Sequence, residues 1–397
     1  MTLVGEPILH ILTGEYPPRP GGVGDYCAQV AAGLAAEGRG VHVWCPGRDA
    51  RRTEASGVEV HRVARLFSPG GLGRLARALD RWPAPRSLLL QYTPNALGLR
   101  GMNVPLCVWL LMRSRRDDVR VMFHEPYFYF GWRRPHRNVL AVVQRLMAVL
   151  LLGASRRVYL SSATWERSLS PYMWLGGRQL MWLPIPSNVP RCENDVAIER
   201  CRLELTGGSP DAPLIGHFGT YGDQIRPLLE ACLAGVAARL PGLCVACLGR
   251  HGETFVAGLE ARVPSLRGRV VASGGLAPEA VAAHLRACDL VVQPFPDGVT
   301  TRRTSLMASL VNGCPTVTTI GPLTEPLWTD ESGVAMAPVG DTAALVDLVV
   351  GLLRDEARRA ALGRAGYRLY DTRFALRHTV RHLSDQPGHP VPVRAAR

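Results

Sequence analysis

Short apolar runs alternate along the chain with longer segments of helical periodicity, and glycine-rich turns separate the two. Ile8 to Thr13 reads as a buried strand, Gly14 to Gly22 as a loop and Val23 to Glu37 as a helix ended by Gly38. Val41 to Cys45 is the next strand, and Ser87 to Tyr92, Val119 to His124 and Arg157 to Ser161 are further strand candidates. A continuous apolar strand followed by a helix, repeated, gives a parallel sheet covered on both faces.

A second series starts after the extended, proline-punctuated stretch Pro184 to Pro190. Strands are expected at Leu214 to Phe218, Cys244 to Leu248, Arg269 to Ala272, Leu290 to Pro294 and Thr316 to Thr319. Helices fall between and after them: Arg226 to Ala238, Thr254 to Arg262, Pro278 to Ala287, Thr304 to Val311 and Thr342 to Leu353. The pattern predicts an α/β protein of two doubly wound, Rossmann-like domains facing each other across a cleft. Domain boundaries are expected at 1–190 and 213–372, with a linker at 191–212 and a final helix and flexible tail at 373–397. Open sheets bind ligands outside the carboxyl ends of their strands, so a site between the halves is expected.

Composition narrows the chemistry. The 46 basic residues are all arginine, which rules out a Schiff-base lysine and a P-loop lysine. The formal charge of +13 is lopsided: 24 Arg against 12 acids up to Pro190, 22 against 21 beyond it. An excess confined to one half suits an anionic partner, although arginine-biased codons are a competing source. The ten cysteines are read as small buried hydrophobes, since alternation puts Cys244 and Cys247 on opposite faces of one strand. Ile8 to Leu12 is too short for a signal-peptide core, and Val139 to Gly153 is interrupted by Gln144 and Arg145. The expectation is therefore a cytoplasmic protein without a spanning segment, possible peripheral contact with the inner membrane face aside.

The second half carries seven motifs in order. They are Gly216-His-Phe-Gly219, Gly249-Arg-His-Gly252-Glu253, Gly274-Gly-Leu with Pro278-Glu279, Ala287-Cys-Asp289 through Pro294, Gly313-Cys-Pro315, Thr324-Glu325-Pro326 and Gly340-Asp341. This half resembles the donor domain of the retaining, GT-B-fold glycosyltransferases of family four (group 1 type). The first half resembles the same family more loosely, through Gly21-Gly22-Val-Gly24-Asp25-Tyr26, His124-Glu125-Pro126 and Leu183 to Asn188. The resemblance implies transfer of a sugar from a nucleoside diphosphate to an acceptor hydroxyl, in surface-glycan, glycolipid or related glycoconjugate synthesis. It implies no cofactor beyond that co-substrate, and places a functional histidine at His124.

The residues themselves support a diphosphate site. Charge grows on the leaving phosphates as the glycosidic bond breaks, so fixed positive potential is needed there. Asp297 to Ser305 lies between a strand and a helix, where helix N-terminal amides, a Thr304 or Ser305 cap, and Arg302 or Arg303 make a candidate cradle. An ordinary capped helix with solvated arginines is the competing reading. Gly216, Gly219, Thr220 and Arg226 complete the candidate donor set. The family's two glutamates are missing: counted back from Gly313 their places fall on Thr300 and Ala308, and anchored on Asp297-Gly298 they fall on Asp297 and Ser305. Asp297 is the candidate replacement for the first. His217 stands at the family's arginine position, and its lysine has no match.

In the first half Gly21, Gly22 and Gly24 are candidates for close backbone approach to a ligand, against the reading of a plain tight turn. His124, at a strand end, and Asp25 are the catalytic candidates beside Asp297; if the reaction inverts, the base comes from Asp25, Glu15 or His124. No Asp-x-Asp and no His/Cys cluster with zinc spacing occurs, so no metal is expected. The aromatics Tyr127 to Phe130 and Trp132 suit a lid or plain packing. Arg113, Arg115, Arg116, Arg120, Arg133, Arg134 and Arg137 flank apolar segments, which suits docking on an anionic leaflet. Candidate partners are thus the nucleotide sugar, a glycan, lipid-linked or small-molecule acceptor and an anionic membrane, with no nucleic acid. A nucleotide-sugar epimerase and a non-catalytic binding member are the alternatives.

Overall fold

The protein, seen in a computed structural model, is described over residues 8–48, 50–131, 136–175, 180–331 and 333–384. It divides into two compact units, Met1–Ile185 with Leu376–Arg397, and Pro186–Ala375.

Unit 1 is built on strands β1 (Leu9–Leu12), β2 (Val41–Pro46), β3 (Ala50–Thr53), β4 (Glu59–Val63), β5 (Ser87–Tyr92), β6 (Asp118–Phe123), β7 (Arg157–Leu160) and β8 (Leu180–Trp182). Helices α1 (Gly22–Ala36), α2 (Pro69–Leu79), α3 (Val104–Arg113), α4 (His136–Ala154) and α5 (Thr164–Leu169) lie between them. The strand order is β3-β4-β2-β1-β5-β6-β7-β8, parallel apart from the β3–β4 pair. β1 and β5 are buried at every position, as apolar runs at the centre of a two-faced sheet must be. α1 buries Tyr26, Cys27, Val30, Ala31 and Leu34 against the sheet.

Unit 2 starts with α6 (Asp195–Leu205), which occupies the stretch expected as a linker. Asn194 caps it by accepting from Ala197 N at 3.0 Å, and its Cys201 and Leu205 join the unit's core. The sheet follows as β9 (Leu214–Phe218), β10 (Cys244–Leu248), β11 (Val270–Gly274), β12 (Leu290–Gln293), β13 (Thr316–Ile320) and β14 (Ala335–Pro338). Its helices are α7 (Arg226–Ala237), α8 (Gly252–Arg262), α9 (Pro278–Ala287), α10 (Thr304–Val311), α11 (Leu327–Asp330), α12 (Thr342–Arg354) and α13 (Glu356–Leu369). The order β11-β10-β9-β12-β13-β14 is doubly wound, its direction reversing between β9 and β12.

The last helix, α14 (Leu376–Leu383), returns to unit 1 instead of closing the second domain. Gly33 of α1 leaves room for Val380, whose Cγ2 lies 2.7 Å from where a Cβ would stand, and Ser384 Oγ donates to Glu37 Oε2 at 3.0 Å. Leu376, Val380 and Leu383, on one face at helical spacing, pack into the core of unit 1.

All ten cysteines are free, and Cys244 and Cys247 belong to separate core clusters on the two faces of β10, as their spacing implies. The arginine clusters fare differently. Asp117, fully buried, receives Arg86 at 2.9 Å and Arg113 at 2.6 Å; Asp118 receives Arg120 at 2.6 Å, and Arg116 reaches Asp80 at 3.3 Å. Arg113 and Arg120, two of the four arginines expected to face a membrane after α3, are therefore spent on internal ion pairs, because a buried unpaired guanidinium would be costly, while Arg116 pairs at the surface. Arg115 and Arg116 stay exposed; Trp132, Arg133 and Arg134 lie outside the described residues. Length and composition, at Arg137–Ala154, make α4 apolar enough to cross a membrane despite Gln144 and Arg145, although it packs on α3.

Candidate functional site

The reversal of strand order in unit 2 brings the carboxyl ends of β9 and β12 together. Gln293, last residue of β12, ties them: its Nε2 donates to Phe218 O at 3.1 Å, while Ser305 Oγ of α10 donates to its Oε1 at 3.5 Å. The loop between β12 and α10 is pinned along its length. Phe295 N donates to Thr319 Oγ1 at 2.8 Å and Val299 N to Thr319 O at 3.0 Å. Gly298 has φ +90°, and a Cβ on it would lie 2.2 Å from Thr324 Oγ1, so only glycine fits. Leu323 N reaches back to Asp297 O at 2.8 Å.

Glu325 anchors the far side. It is 1% exposed and accepts from Thr301 N at 2.6 Å, Thr301 Oγ1 at 2.8 Å and Trp328 Nε1 at 3.0 Å. Three donors on one buried carboxylate compensate its desolvation and fix the residue just before the two arginines.

Asp297 receives Arg302 Nη2 at 3.0 Å and also binds Arg303 Nη2, whose guanidinium lies 4.6 Å from the Phe295 ring centre. One carboxylate between two guanidiniums leaves the loop cationic. The residue capping α10 is Arg303, and among the described residues no side chain bonds its first amides; Thr304 is already helical and Ser305 turns to Gln293, which corrects the expected Thr304 or Ser305 cap. No acid stands in the first turn, so the amides and the dipole there favour an anion.

Other expectations change. Gly216 faces the interior, where a Cβ would lie 2.7 Å from Cys288 Sγ, so its glycine serves packing and not ligand approach. Gly219 and the exposed Thr220 do sit at the end of β9, and Tyr221 pins them by donating to His217 O and Leu248 O, both at 3.2 Å. His217 is no substitute for an arginine. Its Nδ1–H donates to Val292 O at 2.7 Å, Nε2 is buried without a partner, and burial lowers its pKa to about 4. Thr300 and Ala308, at the glutamate positions, are fully buried. Arg226, at the start of α7, lines a cavity of about 550 Å³ with Asp223, Glu230 and Arg262, between α7 and α8.

In unit 1 the start of α1 is already filled. Glu15 Oε1 accepts from Val23 N at 3.0 Å and Gly24 N at 3.2 Å. A Cβ on Gly21 would stand 2.4 Å from that carboxylate, and one on Gly24 3.2 Å from the Glu15 backbone, so both glycines make room for Glu15 instead of a ligand. Gly22 is exposed with open space about it, and Asp25 sits in the first turn. Glu15 is tied up by those amides as a candidate base.

His124 follows β6. Its Nε2 donates to Gln91 Oε1 at 2.7 Å, its ring meets Tyr26 edge-on at 5.2 Å, and burial pushes its pKa down to about 3. It is a neutral imidazole that offers Nδ1 as an acceptor. Beyond it Arg145 of α4 lies 4.2 Å from the Tyr127 ring centre and 4.0 Å from that of Phe130, and also donates to Phe128 O at 3.0 Å. The aromatic run is thus held rigidly, with Tyr129 and Phe130 exposed.

Glu15, Gln91, Gln293, Tyr221 and Glu325 carry much of this geometry without having been singled out as binding residues. Glu325 and Gln293 lie within ordered motifs, and the sequence names Glu15 only as a candidate base; Gln91 carries no signal. Two side-chain groups come within metal-ligand reach among the described residues, His42 with Glu59 and His61, and Cys201 with Glu204 and His284. Neither involves a residue of the Asp297 loop.

No protein-family profile and no curated protein matches the chain. Solved structures do. Sucrose-phosphate synthase from Thermosynechococcus elongatus aligns with a TM-score of 0.72 at 16% identity, over 95% of this chain and 97% of that one. HepE of Anabaena, in complex with UDP and glucose, aligns at 0.68 and 15% identity over 95% and 98%. WaaG, a glycosyltransferase involved in lipopolysaccharide biosynthesis, aligns at 0.62 and 15% identity over the same shares. At this identity the likeness shows the fold, two Rossmann-like units of the GT-B type.

Proposed function

We propose that the protein is a glycosyltransferase in which unit 2 holds a nucleoside-diphosphate sugar and unit 1 serves the acceptor. The observation that carries this is the α10 start, without a side-chain cap bond or an acid in its first turn and flanked by Arg302 and Arg303 on a pinned loop at the strand reversal. The leaving diphosphate gains charge as the sugar departs, and preformed guanidiniums and amides stabilise that charge more than they stabilise the bound donor. Asp297 orients the two arginines. HepE has been seen with UDP-glucose, which makes a uridine diphosphate sugar the first donor to try. If configuration is retained, the departing phosphate takes the acceptor's proton and no protein nucleophile is required; His124, neutral, accepts from a hydroxyl. A panel of nucleotide sugars with anomeric analysis of the product tests the reading, and no transfer or donor hydrolysis from any common donor sinks it. Epimerisation of UDP-N-acetylglucosamine without acceptor would point to the epimerase instead.

A membrane-presented acceptor is favoured by one surface. Val139, Val142 and Leu146 are exposed at helical spacing on α4, a helix without a single acid, with Val108 and Met112 exposed on α3 and Arg115 and Arg137 exposed nearby in sequence. The protein would then act peripherally on an anionic cytoplasmic leaflet. Flotation with anionic liposomes should be lost on replacing Val139, Val142 and Leu146 together by serine; unchanged flotation of that variant removes this reading.

A further inference from the structure

One cluster in unit 1 has no part in sugar transfer. His42 is the second residue of β2, and its Cα partner on the parallel strand β4 is Glu59, the first residue there. His61 follows two positions on, so the period of a strand puts it on the same face as Glu59. His42 and Glu59 stand near the amino ends of their strands and His61 at the middle of β4, whereas His124 follows the carboxyl end of β6 in the same sheet.

The donor atoms converge. His42 Nδ1 and His61 Nε2 are 2.9 Å apart, and Glu59 Oε2 lies 3.8 Å from the first and 3.7 Å from the second. A triangle with those sides has a common centre about 2 Å from every corner, the bond length of zinc to imidazole nitrogen and carboxylate oxygen. Both histidines are buried, and their surroundings hold them: Trp44 stacks on His61 with ring centres 4.0 Å apart, and Trp82 meets His42 edge-on at 4.9 Å. Ligands on adjacent hydrogen-bonded strands are positioned more rigidly than ligands on loops.

We propose that His42, Glu59 and His61 form a divalent-metal site suited to zinc, which fastens β4, the strand next to the sheet edge, to β2. Two imidazoles and one carboxylate are a donor set for zinc, with a fourth position left for water. Without the ion the two rings, 13° apart in plane, share one N–H···N hydrogen bond. Binding replaces that bond: the proton shared between the two facing nitrogens moves to the other nitrogen of the ring that carries it, both facing nitrogens turn their lone pairs to the ion, and each imidazole stays neutral. Arg51 of β3 binds Glu59 Oε2 from the exposed side and competes for that oxygen.

The test uses the full chain, stripped with a chelator and titrated with zinc chloride by calorimetry, and with cobalt chloride by visible spectroscopy. The expected result is one equivalent of zinc, a rise in melting temperature, and cobalt d–d bands without a thiolate charge-transfer band. That last feature separates the site from the Cys201, Glu204 and His284 group. Glu59→Gln should weaken zinc at least tenfold, on the order of what altered metal-site residues cost, and His61→Asn should abolish one-to-one binding. Arg51→Ala, a change at an exposed residue, should tighten it. Absence of stoichiometric binding to wild type, binding unaltered in Glu59→Gln, or a thiolate band would overturn the proposal; circular dichroism of each variant verifies its fold.

Discussion

Two helices in this chain start in the same way, and their starts do opposite things. α1 and α10 each follow a glycine-containing loop that leaves a parallel strand. At α1 the first amides are already bonded to Glu15, an acid from the chain's own loop, and Gly21 and Gly24 exist to admit it. At α10 the loop's acid, Asp297, is turned to Arg302 and Arg303 and not to the helix, and no acid stands in the first turn. The difference teaches that a glycine-rich turn announces a close approach without saying what approaches. Where the loop's acid is directed decides whether a helix start is a closed joint or an anion site.

The largest way to break the contrast is to remove what holds the α10 loop. Glu325→Ala leaves Thr301 N, Thr301 Oγ1 and Trp328 Nε1 without their buried acceptor. Each stranded donor costs on the order of 1–3 kcal/mol, so unfolding in urea should show a loss of roughly 3 kcal/mol or more together with loss of donor binding. A variant as stable as wild type would mean that the loop does not depend on this carboxylate.

Next in size is the charge of the loop. Arg302→Ala with Arg303→Ala should raise the KM or Kd for a nucleoside diphosphate roughly 10- to 100-fold, the worth of one or two charge-assisted hydrogen bonds. Asp297→Asn separates two roles. If Asp297 only orients the arginines, the amide frees positive charge and diphosphate affinity rises while kcat falls; tighter salt dependence should accompany it. Weaker diphosphate binding in Asp297→Asn would overturn the orienting role.

The contrast also marks what could be read from residue order alone. The strands β9, β10, β12 and β13 follow from apolar runs and turn residues, because a strand buried on both faces has few polar positions to blur it. The elements at or next to the sheet edges, β3, β4, β8 and β14, gave no such signal: β3 is Ala-Arg-Arg-Thr, exposed throughout. The stretch at α6 reads as polar linker since only Cys201 and Leu205 of its eleven residues are buried. Position along the chain placed Asp297, Arg302 and Arg303 together, five and six residues apart. It could not reveal Glu15 under α1 or Glu325 under Thr301, since both act through a fold that carries them 8 and 24 residues to their partners.

A smaller effect is expected at α1. Glu15→Gln keeps the shape and one acceptor but removes the charge facing the helix start, which is worth about 1 kcal/mol. Gly21→Ala should cost as much by displacing the carboxylate, since its φ of 176° is extended backbone open to any residue. Neither should change diphosphate affinity, and a rise in that affinity in Glu15→Gln would show α1 to be a second anion site held shut.

The smallest expected change concerns histidine, where the two regions are alike. His124 in unit 1 has its pKa lowered to about 3 and His217 in unit 2 to about 4, both by burial. Neither contributes positive charge at neutral pH, so the activity profile between about pH 6 and 8 should show no inflection from either, and His124→Gln should leave its shape unaltered while lowering its height. Stability carries the opposite signature in acid. The unfolded chain protonates these rings near 6.5 and the folded one does not, so the unfolded state binds more protons throughout the interval between the folded and unfolded values. Their contribution is complete above about pH 6.5 and is lost progressively as pH falls toward 4 and then 3. Urea midpoints at pH 7.5, 6 and 5 should decline in that order, and the decline should flatten in His124→Gln. An activity inflection near pH 6.5 that His124→Gln abolishes would instead place a protonated imidazole in the reaction.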